Sequence, residues 1–160
     1  MTTLELTRHA DRVLRSTVTA SAPLALLLAR LFAGGAFIQA GLGKWRHLEG
    51  TTAFFDSLGL PAPGLHAVLV ATLEVVGGFA LVAGCATRIF ALLLSTTMVV
   101  ALATADRDAL GRALSGAASP TDVAPLVLLV VLLSLFASGP GRFAVDRLVL
   151  RRLLPPRAPS

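Results

Sequence analysis

The chain has 160 residues, of which 55% are hydrophobic and 14% charged, and its mean hydropathy is +0.79. A soluble domain has about 25% charged residues, so this chain has too few charges to cover a surface in water. The single cysteine, Cys85, excludes an internal disulfide, a CxxC redox pair and an all-cysteine metal or iron–sulfur site. The net charge of +5 comes from basic residues between apolar blocks, so we expect no nucleic-acid partner. The composition predicts a small integral membrane protein in a lipid bilayer.

Residues 1–21 precede the first apolar block and form a segment of their own. Apolar side chains recur there at helical spacing, and Arg8, Arg12 and Arg15 fall on the opposite side of the same helix. This pattern is typical of a helix that lies on the cytoplasmic leaflet with its arginines near anionic head groups. We therefore predict a short N-terminal amphipathic interfacial helix, the alternative being a frayed basic tail.

Four long apolar blocks follow, each close to the roughly 20 residues that a helix needs to cross a bilayer. The predicted spans are about residues 22–42, 65–84, 87–105 and 121–138. Arg30 lies where a signal peptide would be cleaved, so we expect the first span to stay uncleaved. The sequence thus predicts an all-α membrane protein. Its four-transmembrane-helix bundle comprises residues 22–150, and a disordered cytoplasmic tail comprises residues 151–160.

The basic residues between the blocks are distributed unevenly. The side that holds both termini carries nine arginines, whereas the opposite side carries four basic residues. Because Lys and Arg accumulate on the cytoplasmic side, we predict that both termini are cytoplasmic. We expect a multi-pass protein of the cell's inner (plasma) membrane.

Two loops lie on the outer side in this arrangement. In the first, Phe54 and Phe55 precede a stop at Gly59 and Pro61, which predicts a short interfacial helix that ends in a turn. The second, residues 106–122, is rich in Gly and Ser, and we predict a polar loop.

Two charges lie inside the predicted spans, and such charges are functional candidates because they are costly to bury. At helical rise, Arg30 lies about 12 Å from the cytoplasmic end of the first span and Glu74 about 15 Å from that end of the second. Opposite charges at nearly one depth predict a buried ion pair. The pair could line a pocket for a polar head group such as a quinone carbonyl, with Glu74 accepting or delivering protons. Alternatively, it only holds the two helices together.

Three further residues are candidate binding residues. Gly34 and Gly78 permit close approach of the first two helices, and a flat ligand beside them is the alternative. Lys44 lies with Trp45 just outside the first span. It is either an interfacial anchor or part of an anion-binding mouth on the outer face. Thr96 and other hydroxyls in the spans are weaker candidates, since most such groups bond to their own helix.

The histidines exclude one class of cofactor. His9, His47 and His66 all lie outside the span centres, so a bis-histidine haem cannot form inside the bundle. A metal site on the outer face, built from His47 and His66 with Glu49 or Asp56, would lack ligand-type spacing, and we predict no metal.

An ordered set of short motifs across roughly residues 24–150 resembles the DoxX family of small membrane proteins. The motifs are Arg30-Leu31-Phe32-Ala33-Gly34, Gly41-Leu42-Gly43-Lys44, Gly59-Leu60-Pro61, Glu74-Val75-Val76-Gly77-Gly78, Gly84-Cys85-Ala86-Thr87-Arg88 and Gly139-Pro140-Gly141-Arg142-Phe143-Ala144-Val145-Asp146. Two positions depart from the family pattern. Ala144 stands where a serine is common, and residues 101–105 lack the histidine that many members have there. The second departure weakens the case for histidine-dependent proton or metal chemistry.

The resemblance implies a four-helix membrane bundle with a redox-associated role. Relatives include a thiosulfate:quinone oxidoreductase, and some members are thought to partner soluble enzymes of sulfur, thiol or superoxide metabolism. This implies quinone as a ligand and a soluble redox enzyme at the cytoplasmic face as a partner. In this hypothesis Glu74 and Arg30 are catalytic and orient the head group, and the quinone-binding residues are Arg30, Gly34, Glu74, Gly78 and Lys44.

Other functions stay open at this point. The chain carries no cysteine pair, haem ligand set or dinucleotide motif, so electrons would pass directly through quinone or through a cofactor-bearing partner. One alternative is a non-enzymatic membrane anchor or assembly factor for a soluble enzyme. Another is a small-molecule carrier with the Arg30–Glu74 pair at its binding site. A bundle this small buries little surface alone, so a homo-oligomer is a further expectation.

Overall fold

The computed structural model describes residues 3–139, 141 and 144–146, with side chains from residue 21 onward. In this part of the chain the structure is helical and contains no strand, so the all-α prediction is confirmed. The six α-helices that lie wholly within the described residues are α1 (Thr3–Arg46), α2 (Leu48–Ser57), α3 (Pro63–Ala83), α4 (Thr87–Ala103), α5 (Arg107–Leu114) and α6 (Ala124–Ser138). A short 3₁₀ turn, Pro120–Asp122, precedes α6.

Among the described residues, two helices are long and apolar enough to cross a membrane: the Ser21–Arg46 part of α1, and α3. Helices α4 and α5 together also pass this test, but they meet at an angle of 82°, as in a broken span or a re-entrant loop. Helix α6 is apolar but has 15 residues, or roughly 23 Å at helical rise, against a hydrocarbon core of about 30 Å. Length and composition therefore support two spans, or three with the bent pair, of the four that the sequence predicts.

Four helices pack side by side in a ring, α1 on α3, α3 on α4, α4 on α6 and α6 on α1. Between them lies an apolar core that includes Ala33, Phe37, Leu81, Leu94 and Leu132. Many large apolar side chains point outward instead, for example Phe32, Leu65, Phe79 and Ile89, each of which is more than half exposed. An outer surface of this kind is suited to lipid and not to water.

The backbones of α1 and α3 touch at glycines. A Cβ on Gly34 would lie 2.7 Å from the carbonyl oxygen of Gly78, and a Cβ on Gly78 would lie 2.8 Å from that of Gly34. Likewise, a Cβ on Gly41 would lie 2.8 Å from the carbonyl oxygen of Ala71. The predicted close approach at these glycines is confirmed, and it sets the antiparallel register, with Gly34 opposite Gly78 and Gly41 opposite Ala71.

The two ends of the chain bear on further predictions. Residues 3–20 are helical, but their backbone is continuous with the first apolar stretch in α1 and does not form a separate helix. The location of this segment on the cytoplasmic leaflet stays a prediction. The predicted disordered tail, residues 151–160, lies outside the described residues.

The outer loops agree with the sequence in one case and differ in the other. Helix α2 is the predicted short helix, and Gly59, with φ of +72°, makes the turn after it. The second loop instead contains α5, which the sequence analysis missed. Its residue Ala113 is buried against Leu102 and Val123, and this apolar contact explains why a helix forms in a Gly/Ser-rich segment.

Replacement of Gly34 by alanine should lower the free energy of unfolding by about 2 kcal/mol, because the new methyl group meets the α3 backbone. Gly35 has no atom within 4 Å of its Cβ position, so Gly35→Ala is the matched control and should be neutral or stabilising. Thermal unfolding in detergent, followed by circular dichroism, would measure both. Equal effects of the two substitutions would contradict the described contact.

Candidate functional site

An ion pair between α1 and α3 lies within the candidate spans. The Lys44 Nζ donates a hydrogen bond of 2.6 Å to Glu74 Oε2. The Glu74 side chain is 3% exposed and that of Lys44 is 27% exposed. Each charge therefore offsets much of the cost of burying the other.

The predicted pairing of Arg30 with Glu74 is wrong. In the observed register Arg30 lies level with Val82, eight residues or roughly 12 Å along α3 from Glu74. Side chains on a helix also tilt toward its N-terminus. The Arg30 side chain therefore extends away from Glu74. Lys44 lies on the other side of Glu74 along the helix pair, and its side chain extends toward Glu74. The sequence estimate failed because it measured depth from Ala22, and α1 does not begin there.

Arg30 belongs to the opposite end of the molecule. It is 2% exposed, and its Nη2 donates to the carbonyl oxygen of Val82 at 3.4 Å. Its guanidinium fills the space beside Gly84, where a Cβ would lie 2.6 Å from Nη1. Asp146 is near enough to attract it electrostatically. Arg30 is thus held at the turn between α3 and α4.

The same turn is held by the residues after α6. The Asp146 carboxylate accepts hydrogen bonds from the backbone N–H groups of Ala86, at 2.9 Å, and Thr87, at 3.4 Å. It therefore caps the N-terminus of α4 from a distant part of the chain. Arg88 in turn donates to the carbonyl oxygen of Ala137 at 3.5 Å, near the C-terminus of α6. Two of the motifs that carry the family resemblance thus meet here in a structural contact.

The Lys44–Glu74 pair lines a cavity of about 510 Å³. Its walls come from α1, α2, α3, α4 and α6, and most of its lining is apolar. The apolar and aromatic lining residues are Ala36, Phe37, Ala40, Phe54, Phe55, Leu58, Leu60, Val70, Met98, Val100, Ala101, Ala105, Ala124, Pro125 and Leu128. A mostly apolar cavity with a few convergent polar groups is the usual form of a small-molecule site.

The polar lining residues fall on two levels along α3. His66 and Glu74 lie two turns apart on one face of the helix, with Val70 between them, so the levels are roughly 12 Å apart. Thr96 and Thr97 of α4 line the cavity at the level of Glu74. Thr104 and Asp106, just after the end of α4, line it at the level of His66. We call these sets the inner level (Lys44, Glu74, Thr96, Thr97) and the outer level (His66, Thr104, Asp106).

The hydroxyls and the histidine have local partners. Thr96 and Thr97 donate to the carbonyl oxygens of Leu93 and Leu94 at 2.6 and 2.8 Å. The Nδ1 of His66 lies 3.3 Å from the carbonyl oxygen of Ala62. These contacts leave the Lys44–Glu74 pair as the principal charged group on the inner level.

The predicted site residues therefore separate into two groups. Lys44 and Glu74 line the cavity, whereas Arg30, Gly34 and Gly78 do not. Gly34 and Gly78 face each other in the helix contact, and ligand binding by them stays a prediction. Lys44 differs from the predicted interfacial anchor, since it points inward.

Several cavity residues were missed as site residues, although the sequence contains a signal for one of them. His66 precedes Glu74 by eight residues and so lies on the same helical face. Phe37 and Met98 carry no such signal, because apolar residues line cavities and cores alike.

Among the described residues, no group of three or more His, Cys, Asp or Glu side chains lies together where it could hold a metal ion.

A sequence model of the DoxX family matches residues 25–107, a range that includes Arg30, Lys44 and Glu74. The chain belongs to the DoxX family. Over 137 residues, this DoxX chain is 30% identical to "Inner membrane protein YphA" of Escherichia coli (strain K12), covering 80% of the chain and 92% of that protein. This DoxX chain is therefore also a membrane protein. No solved structure matches it.

A second relative has a name that refers to redox chemistry. The DoxX chain is 40% identical over 78 residues to "Putative oxidoreductase CatD" of Bacillus subtilis (strain 168). The matched part is 49% of the DoxX chain and 57% of that relative, so the chain spans little more than half of its length.

A double-mutant cycle should identify the partner of Glu74 in this DoxX protein. Lys44→Met and Glu74→Gln should show a coupling energy of about 2 kcal/mol in the free energy of unfolding, because the first leaves the buried Glu74 carboxylate unpaired and the second leaves the partly buried Lys44 ammonium unpaired. Arg30→Met and Glu74→Gln should be additive within about 0.5 kcal/mol. Chemical unfolding in detergent would give the values, and coupling of Arg30 with Glu74 would contradict the observed register.

Asp146→Ala should lower the free energy of unfolding by at least about 1 kcal/mol, since α4 loses its cap and Arg30 loses a nearby anion. Asp56→Ala is the matched control, because Asp56 is exposed on α2 and its carboxylate caps no helix. The same unfolding measurement applies. A neutral Asp146→Ala would show that the contact contributes nothing to stability.

Proposed function

We propose that this DoxX protein is a redox-associated subunit of the bacterial inner membrane that binds the head group of a membrane quinone beside Lys44 and Glu74. The observation that carries the proposal is a partly buried ion pair on the wall of a largely apolar cavity of about 510 Å³ between the helices of the ring. A quinone combines a flat apolar ring with carbonyl oxygens that accept hydrogen bonds. The name of the Bacillus subtilis relative supports a redox role.

The inner level has the donors and the proton carrier that this chemistry needs. An ammonium group has three N–H donors, and one of those on Lys44 is used by Glu74. A second donor would hold a quinone carbonyl in place. Reduction of a quinone to a quinol consumes two electrons and two protons, and Glu74 would pass protons to the ring oxygens. The electrons would come from a soluble redox enzyme that carries its own cofactor and docks at the cytoplasmic face.

The proposal includes the arrangement in the membrane. All four helices of the ring, α1, α3, α4 and α6, would cross the bilayer, with both termini in the cytoplasm. The excess of arginines on the side of the termini supports this orientation. The packing of α4 and α6 beside the two longer apolar helices supports four spans, because a helix in that ring shares their depth.

More quinone should copurify with the wild-type protein than with Glu74→Gln. The substitution removes the partner that orients the Lys44 ammonium, so retention should fall about tenfold. Protein purified from bacterial membranes in mild detergent would be extracted, and quinone per protein would be quantified by mass spectrometry. Glu49→Gln is the matched control, since Glu49 is an exposed carboxylate that does not line the cavity.

The same preparation also distinguishes the proposed quinone-binding subunit from a non-enzymatic membrane anchor. If the wild-type protein and both variants retain no quinone but retain a soluble enzyme equally, the quinone proposal fails and the chain is the membrane anchor of that enzyme. If quinone is retained equally by wild type and Glu74→Gln, the ligand lies elsewhere and the assignment of the cavity is wrong.

A further inference from the structure

The charges that line the cavity sum to zero or less. On the inner level, Lys44 contributes one positive charge and Glu74 one negative charge, 2.6 Å apart. On the outer level, Asp106 contributes a second negative charge. His66 is the one other titratable group in the lining, and its protonation would only balance Asp106. Arg30 and Arg88 lie at the other end of the bundle, outside the lining.

This balance decides which head groups the cavity can accept. An anionic head group would lose its hydration on entry, and the neutralised Lys44 would not repay that loss. It would also be repelled by Glu74 and Asp106. An uncharged head group with hydrogen-bonding oxygens loses far less on entry and can still bond to the ammonium or the carboxylate.

We propose that Glu74 and Asp106 make the cavity selective for membrane-soluble molecules with an uncharged polar head group, and exclude anionic amphiphiles of the same length. The proposal rests on the proposed function in that it takes the cavity as the ligand site. This selectivity differs from the anion-binding mouth considered for Lys44, because Glu74 pairs with the Lys44 ammonium and neutralises its charge. It also assigns Asp106, which the quinone chemistry does not use, to specificity.

Binding of two probes with equal chains tests the selectivity. Radiolabelled dodecanol and dodecanoate would be titrated onto the full-length protein in detergent, in alkaline buffer that keeps the carboxylate ionised. Ala101→Phe fills the cavity with a larger side chain. The probe binding that this variant loses is therefore the binding inside the cavity. The wild-type protein should bind dodecanol at least about tenfold more tightly than dodecanoate. Equal or tighter binding of dodecanoate would overturn the proposal.

Two variants test the residues responsible. Glu74→Gln frees the charge of Lys44, so the preference should shift toward dodecanoate by about tenfold. Asp106→Asn leaves the buried pair intact and should raise dodecanoate affinity by about threefold, whereas Asp108→Asn, an exposed carboxylate outside the cavity, should not. If Glu74→Gln does not fold, the comparison of Asp106→Asn with Asp108→Asn decides alone. Unchanged preferences in the folded variants would overturn the assignment.

Decylubiquinone as a third probe separates this inference from the proposed function. Binding of dodecanol without binding of decylubiquinone would refute the quinone site and retain the selectivity for uncharged head groups. Binding of decylubiquinone together with equally tight binding of dodecanoate would retain the quinone site and refute the selectivity.

Discussion

The contact between α1 and α3 at their glycines determines where the charges of Arg30, Lys44 and Glu74 lie. Because the backbones meet at Gly34 and Gly78, a shift of one helix along the other would bring side chains into that contact. The register then places Lys44 within reach of Glu74 and Arg30 at the α3–α4 turn. Each charge has a counterpart only in this one alignment. A contact between uncharged glycine backbones thus determines which charged side chains meet.

As a result, the molecule has two polar regions with different purposes. At one end Arg30, Asp146 and the turn after α3 form a set of structural contacts that join α1, α4 and the segment after α6. Farther along the bundle, Lys44 and Glu74 face open space. The motifs of the DoxX family contribute to both regions. In this chain, therefore, some of the motif residues make structural contacts and others line the cavity.

The sequence was sufficient for the four helices of the ring and insufficient for the pairing of charges. Apolar blocks, the turn at Gly59 and the two intramembrane charges can be read directly, since each depends on local composition. The partner of Glu74 depends instead on the register between two helices, and a depth counted from a predicted helix end cannot supply it. The helix α5 was missed for a similar reason, because its burial against Leu102 and Val123 comes from tertiary contacts. The cavity could not be predicted, because the residues around it have the same composition as the core.

The lengths of the helices have a consequence for the surrounding lipid. Helices α4 and α6 have 17 and 15 residues, or roughly 26 and 23 Å, whereas the hydrocarbon core is about 30 Å thick. In the proposed four-span arrangement these two helices are shorter than the bilayer core, whereas α1 and α3 are not, and thinning of the bilayer beside them is one way to accommodate the difference. The hydrophobic mismatch is therefore one-sided, and it draws the lipid–water interface toward the end of α4 that lines the cavity. In that arrangement, the ligand proposed for the cavity would exchange with the bilayer across a depressed rim of lipid head groups.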